Sequence, residues 1–493
     1  MGSIFLLIMN DRITHFTKKG HALFLSVVLA FTSAYAEKPN VVIIFCDDLG
    51  SGDVSSYNKE SKIKTPNIDS LAADGVRFTD GHSNSAVCTP SRYGMLTGQY
   101  AWRTRLKRGV LNGYSKPLIA KDRATIASML KTHGYKTACI GKWHLGMTIP
   151  YFEKKRDYKA KIKDGPTTRG FDYFLGISAS LDMPPYAIIE NDTFTEQPTE
   201  KQKKITRQLD YTRAGDLAPG FKHVDYLPDV AEKASAWITK QAKGEKPFFL
   251  YLPLPSPHKP VIPNESFKGK SGIGQYGDYV LETDWAVGQV IKSLKGAGVY
   301  ENTLIIFTSD NASFAIPETY NVIQTGHKSN MHYKGQKTDI YEGGHRVPYI
   351  ISWPKGYGHN KSKTSKQLIC ITDAFATIQS AVAGKDASHE DGFSFHEYLK
   401  GDLKTTASIK PATIHHSGSG VFAIRSGDWK LILSNGAGGR TKGKTETKGQ
   451  LYNMAMDESE KNNLYASKPE VVKRLTQLLN QIKASSLTNI KSK

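Results

Sequence analysis

An alternation of short apolar runs and helix-like segments extends from residue 38 to about residue 405. It constrains the fold more than any other feature of this 493-residue chain. Residues 41–45 form a continuous apolar run rich in β-branched side chains, as expected of a strand buried on both faces of a parallel sheet. Helical periodicity precedes each later run, which is typical of helices packed on a sheet. We therefore expect an α/β fold with a mostly parallel sheet flanked by helices.

The same alternation predicts individual elements. Helices over 122–133, 229–241 and 278–294 are expected to lead into strands at 136–140, 248–252 and 303–308. Thr65 and Pro66 are suited to opening a short helix that Gly75 can end. Thr89 as N-cap and Pro90 at the first helical position predict another helix that continues through residues 91–99.

Polar residues of the kind that bind ligands follow the predicted strands. They are Asp47, Asp48, Lys142, His144, His258, Asp310 and Asn311. Because ligands of open α/β sheets bind at the carboxyl ends of strands, we expect these side chains to converge on one site. The three carboxylates and the amide are hard oxygen ligands, which suit Ca²⁺ best and Mg²⁺ less well.

The pattern changes after residue 405. Residues 421–425 and 429–433 predict two strands joined by a short turn at 426–428, and 451–453 predicts another strand. A helix opening at Pro469 carries apolar residues on one face, namely Val471, Val472, Leu475, Leu478, Leu479 and Ile482. We therefore divide the chain into a main domain at 37–405 and a smaller α+β domain at 406–493.

The first 36 residues resemble a secretory signal peptide. Lys18 and Lys19 precede an apolar run at 22–31, and Ala34-Tyr35-Ala36 is a small-x-small cleavage site. No later run is long enough to cross a membrane. We expect an exported protein, either periplasmic or extracellular.

The chain is strongly basic. Its formal net charge is +20, of which the predicted signal peptide carries +2, so the mature chain carries about +18. Such a field attracts nucleic acid, anionic lipid and sulfated polysaccharide alike. No nucleic-acid-binding motif is present, so we do not expect nucleic acid as a partner.

A motif at 88–92, Cys88-Thr89-Pro90-Ser91-Arg92, lies where a helix is predicted to start. Free backbone N–H groups and the macrodipole favour an anion at such a position. The stretch 85–98 resembles the signature of the type I formylglycine-dependent sulfatases, which have an alkaline-phosphatase-like fold. In that family a formylglycine-generating enzyme oxidises the cysteine of C-x-P-x-R to an aldehyde (3-oxoalanine), whose hydrate is the nucleophile.

Further segments share this resemblance. Residues 46–50 and 309–311 are similar to the family's metal motifs, which implies one Ca²⁺ ion. The implied ligands are Asp47, Asp48, Asp310, Asn311 and the modified Cys88. Residues 141–146 resemble its second signature, which implies that Lys142 binds sulfate and that His144 is the base expelling sulfate.

Other site residues are implied less directly. Residues 257–260 resemble the segment whose histidine, here His258, binds the ester and protonates the leaving oxygen. In 335–344, Lys337 matches a second sulfate-binding lysine, although Lys334 stands close by. The resemblance also implies that Arg92 holds the hydrate and that Ser180 or Asp182 approaches the substrate.

The four cysteines are too few for a disulfide framework. If Cys88 is modified, at least one of the other three stays unpaired, and Cys46 and Cys139 lie in strand-like runs as small buried residues.

The resemblance implies a sulfuric ester hydrolase, and residues 100–106 resemble bacterial sulfatases of carbohydrate 6-sulfates. A sulfated carbohydrate is the expected substrate. We expect loops 152–169 and 190–216 to select it. Two alternatives remain, a phosphomonoesterase or phosphonate hydrolase on the same scaffold and a non-catalytic binder of sulfated glycans.

Overall fold

The structure is a computed structural model that describes residues 38–207, 209–314, 325–384, 388–403, 405 and 407–485. The predicted signal peptide at 1–36 lies outside these described residues. None of the described helices is long and apolar enough to span a bilayer.

A ten-stranded sheet forms the centre of the protein. Its strands are β1 (Asn40–Asp47), β2 (Val76–Phe78), β3 (Lys136–Lys142), β4 (Tyr173–Ile177), β5 (Ile189–Glu190), β6 (Thr193–Phe194), β7 (Phe248–Pro257), β8 (Thr303–Ser309), β9 (Tyr349–Ser352) and β10 (Lys363–Ser365). Their spatial order is β10-β2-β9-β8-β1-β7-β3-β4-β5-β6. The block β8-β1-β7-β3-β4 is parallel throughout, which confirms the expected mostly parallel sheet.

Both faces of this sheet are covered by helices. The described α-helices of the chain, including α10, which packs on the second sheet described below, are α1 (Pro66–Asp74), α2 (Cys88–Thr97), α3 (Ile126–Thr132), α4 (Tyr226–Gln241), α5 (Gln275–Gly296), α6 (Glu342–His345), α7 (Pro354–Tyr357), α8 (Asp373–Ala383), α9 (His396–Lys400) and α10 (Pro469–Ala484). Alternate residues of β1 enter two cores, one shared with α2, α3 and α8 and the other with α1, α4 and α5. Burial on both faces explains why residues 41–45 are uniformly apolar.

A second sheet lies towards the carboxyl terminus. It is antiparallel, in the order β11 (Thr413–His416), β12 (Phe422–Ser426), β13 (Trp429–Ile432) and β14 (Gln450–Asn453). Leu475, Leu479 and Ile482 of α10 pack against it. Described residues from Pro39 onward form one compact unit, so the domain boundary near residue 405 stays a prediction.

Short two-stranded pairs lie outside the two sheets: Gly81–His82 with Ile369–Cys370, Tyr151–Phe152 with Lys155–Arg156, Glu200–Gln202 with Gly215–Leu217, and Ser388–His389 with Gly392–Phe393.

Most predicted elements are confirmed within a few residues, but two helix starts were wrong. The helix predicted from residue 122 begins at Ile126, because Thr125 Oγ1 accepts from the Ser128 N–H as the N-cap. Helix α2 begins at Cys88 with Val87 as N-cap. Thr89 does not cap it, since its Oγ1 accepts a hydrogen bond from the Leu111 N–H at 3.1 Å. Residue 88 is therefore the first residue of the helix.

Candidate active site

A pocket of about 270 Å³ lies where β1, β3, β7 and β8 end. Six of the residues considered for the site line it, namely Asp48, Cys88, His144, Asp182, His258 and Lys337. We call this the Cys88 pocket. The polar residues that follow four separate strands therefore meet at one edge of the sheet, as predicted from their positions in the sequence.

Cys88 is only 3% exposed and lies at the first position of α2. The Nζ atom of Lys337 is 3.6 Å from its Sγ. Burial raises the pKa of the thiol to about 12, even though the charges of Lys142 and Lys337 lower it. An unmodified thiol here stays protonated near neutral pH and is a poor nucleophile.

The acidic residues form a fully buried network with two cations. Arg92 Nη2 donates to Asp310 Oδ2 at 2.6 Å and lies 3.5 Å from Asp47 Oδ1. Lys142 Nζ donates to Asp47 Oδ2 at 2.5 Å. The Asp48 N–H lies 3.3 Å from Asp310 Oδ1, which links Asp48 to the network, and Asn311 Nδ2 donates to Asp48 Oδ1 at 2.7 Å.

This network has the properties of a cation site. Oδ1 of Asp47 and Oδ1 of Asn311 are buried without a hydrogen-bond partner among the described residues. Burial and the neighbouring Asp47 raise the pKa of Asp310 to about 7. The nearby positive charges therefore do not fully stabilise the charged form of this carboxyl. Ligand-type atoms of Asp47, Asp48, Cys88 and His258 lie within 4.8 Å of one another. The oxygen donors fit a hard cation such as Ca²⁺.

His144 has one free ring nitrogen. Its Nε2 donates to the Leu111 carbonyl at 2.8 Å, while its buried Nδ1 has no hydrogen-bond partner in the described part of the chain. Burial, together with the charges of Lys142 and Arg92, holds the pKa of this imidazole well below its usual value. His144 is therefore neutral, with an Nδ1 lone pair that can accept a proton.

Contacts at the Nδ1 atom of His258 orient its ring. Its Nδ1 donates to the Lys259 carbonyl at 2.5 Å and lies 3.2 Å from Ser180 Oγ, while Nε2 is 3.8 Å from Asp48 Oδ2. Burial lowers the pKa of His258, and the charges of Asp47 and Asp48 raise it in part. Ser180 is 1% exposed and does not line the Cys88 pocket, so it contacts His258 rather than the pocket interior. Asp182, the other residue considered at this position, does line the pocket.

The two neighbouring lysines lie in different places. Lys337 Nζ donates to Asp48 Oδ2 at 2.8 Å inside the pocket. Lys334 Nζ instead lies 4.1 Å from the centre of the Tyr341 ring and donates to the Glu460 carbonyl at 3.2 Å. Lys337 is therefore the lysine that reaches the site.

The outer wall of the pocket was mostly not predicted. Lys259 Nζ lies 4.5 Å from the centre of the Tyr211 ring, and the Arg440 guanidinium lies 4.2 Å from the centre of the Phe314 ring. Tyr211 and Arg213 come from the loop expected to select the substrate, whereas no residue of 152–169 lines this pocket. Arg440 belongs to a basic loop that carries no motif.

All four cysteines are buried and unpaired, including Cys46 and Cys139 in the strands where burial was predicted.

A mostly parallel sheet with buried acids, lysines and histidines at its carboxyl edge defines an alkaline-phosphatase-like hydrolase. The family model described as Sulfatase matches residues 39–384. An N-acetylgalactosamine-6-O-sulfatase of Bacteroides thetaiotaomicron is 33% identical, over 91% of this chain and 94% of that protein. The chain therefore belongs to the sulfatase family, and it is a sulfatase.

Two further comparisons agree with this assignment. Human arylsulfatase A is 32% identical over 82% of this chain and 77% of that protein. A solved sulfatase structure, described under the metabolism of multiple glycosaminoglycans by Bacteroides thetaiotaomicron, has a TM-score of 0.79 and 32% identity. That match covers 91% of this chain and 100% of the other.

Proposed function

We propose that this sulfatase removes sulfate from a sulfated carbohydrate, using an aldehyde formed from Cys88. The observation that carries the proposal is the environment of that side chain. It begins a helix at the base of a pocket, with the Lys337 ammonium 3.6 Å from its sulfur and the acidic network beside it. Burial raises the pKa of the unmodified thiol, which is consistent with a nucleophile other than the thiol at this position.

Formylglycine at position 88, made by a formylglycine-generating enzyme, would supply a hydrate hydroxyl as the nucleophile. We assign Arg92 to hold that group. Its Nη2 is committed to Asp310, but its Nε is buried and has no hydrogen-bond partner among the described residues. This free donor suits a polar group at residue 88.

The residues proposed to hold Ca²⁺ are Asp47, Asp48, Asp310 and Asn311, together with the modified residue 88. The ion would supply positive charge against a sulfate oxygen. The orphaned oxygens of Asp47 and Asn311 and the raised pKa of Asp310 support this donor set.

The remaining polar residues would stabilise negative charge or transfer protons. Lys142 and Lys337 would offset negative charge on the sulfuryl oxygens. The Asp48 carboxylate, 3.8 Å from Nε2 of His258, offsets part of the lowering of this pKa, and His258 would pass a proton from Nε2 to the departing alcohol oxygen. His144 Nδ1, free and neutral, would take the proton from residue 88 as sulfate leaves.

A carbohydrate substrate is supported by charge and by relatives. The predicted mature chain carries about +18, and Arg213, Lys259 and Arg440 line the pocket wall. The N-acetylgalactosamine-6-O-sulfatase of Bacteroides thetaiotaomicron, 94% of which is covered by the match, acts by its name on N-acetylgalactosamine 6-sulfate. We also propose export to the periplasm or medium, where sulfated polysaccharides can be met.

The test is a side-by-side panel of sulfated oligosaccharides, an aryl sulfate, and matching phosphate and phosphonate esters. We expect kcat/KM to be highest for a sulfated saccharide, and added salt to narrow its advantage over the aryl ester by screening. Faster turnover of a phosphate or phosphonate ester would favour that alternative activity. Binding of sulfated glycan without release of sulfate would favour the non-catalytic alternative.

A further inference from the structure

A second pocket, of about 880 Å³, lies beside the Cys88 pocket. It is lined by Gln99, Trp102, Arg103, Lys107, Arg108, Ser419, Gly420, Phe422 and Lys483. We call it the basic–aromatic pocket. Its size is within the range of small-molecule sites. It contains part of the segment 100–106, which the active site does not use.

Most of the positively charged side chains of the basic–aromatic pocket have no acidic partner among the described residues. Arg103 is paired with Asp391, with Nη2 2.7 Å from Oδ1. Lys107, Arg108 and Lys483 form no ion pair with any described carboxylate, and all three are exposed. Three cations converging on one concave surface without an acid favour an anionic ligand.

Two aromatic rings support the cations of this pocket. The rings of Trp102 and Phe422 meet edge to face with centroids 5.6 Å apart, and Lys483 Nζ lies 4.4 Å from the centre of the Phe422 ring. Trp102 is 6% exposed, and its indole Nε1 is buried without a hydrogen-bond acceptor among the described residues. Because the Trp102 ring also stacks on Tyr100 with centroids 5.5 Å apart, the surface left to a ligand is the partly exposed Phe422 ring beside cations that have no acidic partner.

Only a thin wall separates the two pockets. Arg108 lines the basic–aromatic pocket and Val110 lines the Cys88 pocket, so at most about 7 Å of chain joins them. On the facing segment, Gly418 accepts a hydrogen bond from Gly109 and donates one to Thr338, which lines the Cys88 pocket. The two pockets are therefore separated by little more than this pair of hydrogen-bonded segments.

We propose that the basic–aromatic pocket is a second saccharide subsite. It binds a charged sugar, sulfated or carboxylated, of the same oligosaccharide whose ester is cleaved in the Cys88 pocket. This inference rests on the proposed carbohydrate sulfatase function. It adds that the enzyme prefers a chain longer than the sugar that carries the cleaved sulfate.

The test uses the double variant Arg108→Gln/Lys483→Gln in the mature enzyme. A matched control is Lys233→Gln/Lys240→Gln. These two exposed lysines line a different pocket, beside Lys136 at the amino end of β3. The control variant therefore loses the same net charge as the pocket variant. The substrates are 6-O-sulfated galactosaminoglycan oligosaccharides of increasing length, from monosaccharide to hexasaccharide, with sulfate release as the readout.

We expect the pocket variant to lose about 10-fold or more in kcat/KM on the hexasaccharide, through KM, because two charge-assisted contacts are removed. Its activity on the monosaccharide should equal that of the wild type. Equal losses in the pocket and control variants would overturn the subsite, since net charge alone would then explain them. An unchanged KM of the pocket variant on the hexasaccharide would also overturn the subsite. If the wild type released no sulfate from any saccharide, the proposed function itself would fail.

Discussion

The Lys337 ammonium lies 3.6 Å from Cys88 Sγ and 2.8 Å from Asp48 Oδ2. One cation therefore contacts both the proposed nucleophile position and a proposed metal ligand. Lys334, three residues earlier in the sequence, instead lies against the Tyr341 ring outside the pocket. The two lysines form a natural pair for testing whether position, and not charge alone, determines activity.

Lys337→Met is expected to lower kcat by about 100-fold or more, because a preorganised charge at the sulfuryl group is lost. Lys334→Met removes the same charge from the chain and should leave kcat within a few-fold of the wild type. Initial rates on the best substrate of the panel, with thermal unfolding as a check on folding, would measure both. Similar losses in the two variants would refute the assignment of Lys337.

The metal proposal predicts a stabilising effect of Ca²⁺. An ion that binds only the folded state at about 100 times its dissociation constant adds about 2.7 kcal/mol. Chelator-treated wild type should therefore melt at a higher temperature when Ca²⁺ is restored. Asp310→Asn should show little of this shift and no turnover. Active enzyme that contained zinc and no calcium would contradict the proposal.

A buried charge cluster connects β13 of the second sheet to α6. Lys430 of β13 is fully buried, 2.9 Å from Glu342 and 2.8 Å from Glu460. Lys430→Met leaves the buried Glu460 without this cation and Glu342 with Arg346 at 3.4 Å, and we expect a loss of about 3–5 kcal/mol in the free energy of unfolding. Lys400→Met, at an exposed pair with Glu397, should cause little change. Urea denaturation of both variants measures the difference, and equal stabilities would show that the cluster contributes nothing.

Glu282 gives a pH-dependent prediction away from the active site. Its side chain is fully buried, and burial raises its pKa from 4.5 to about 7. Because the folded pKa is raised, the wild type loses stability as pH rises towards and through about 7, whereas Glu282→Gln does not titrate. The stability of the variant relative to the wild type should increase by about 2–3 kcal/mol between about pH 5 and pH 8. A difference that stays constant with pH would show that this pKa is not raised.

The sequence was informative where local rules apply. Residues 41–45 had to be a buried strand because no polar residue interrupts them, and the polar residues after each strand followed from the topology of parallel sheets. The predicted start of α2 was wrong because of a tertiary contact. The Thr89 hydroxyl accepts from Leu111, a partner that lies far along the chain, so the local preference of threonine for capping did not decide the boundary.

Other parts of the site depend on packing between distant segments. The convergence of Asp47, Asp48 and Asp310 could be predicted from the chain alone. The contact of Ser180 with His258 and the approach of Arg440 to Phe314, however, bring together residues from separate loops. The basic–aromatic pocket likewise combines β12, α10 and the segment after α2. No spacing in the sequence indicates such contacts, because each loop conformation is set by the rest of the fold.

The most direct test of the central proposal is peptide mass spectrometry of residue 88 in enzyme of known specific activity. Enzyme produced with and without a formylglycine-generating enzyme would supply preparations with different degrees of conversion. We predict that active enzyme shows the mass change from –CH₂SH to –CHO at position 88, that sulfate release rises in proportion to the converted fraction, and that Cys88→Ala is inactive. Full activity in protein that carries only the free thiol would contradict the account.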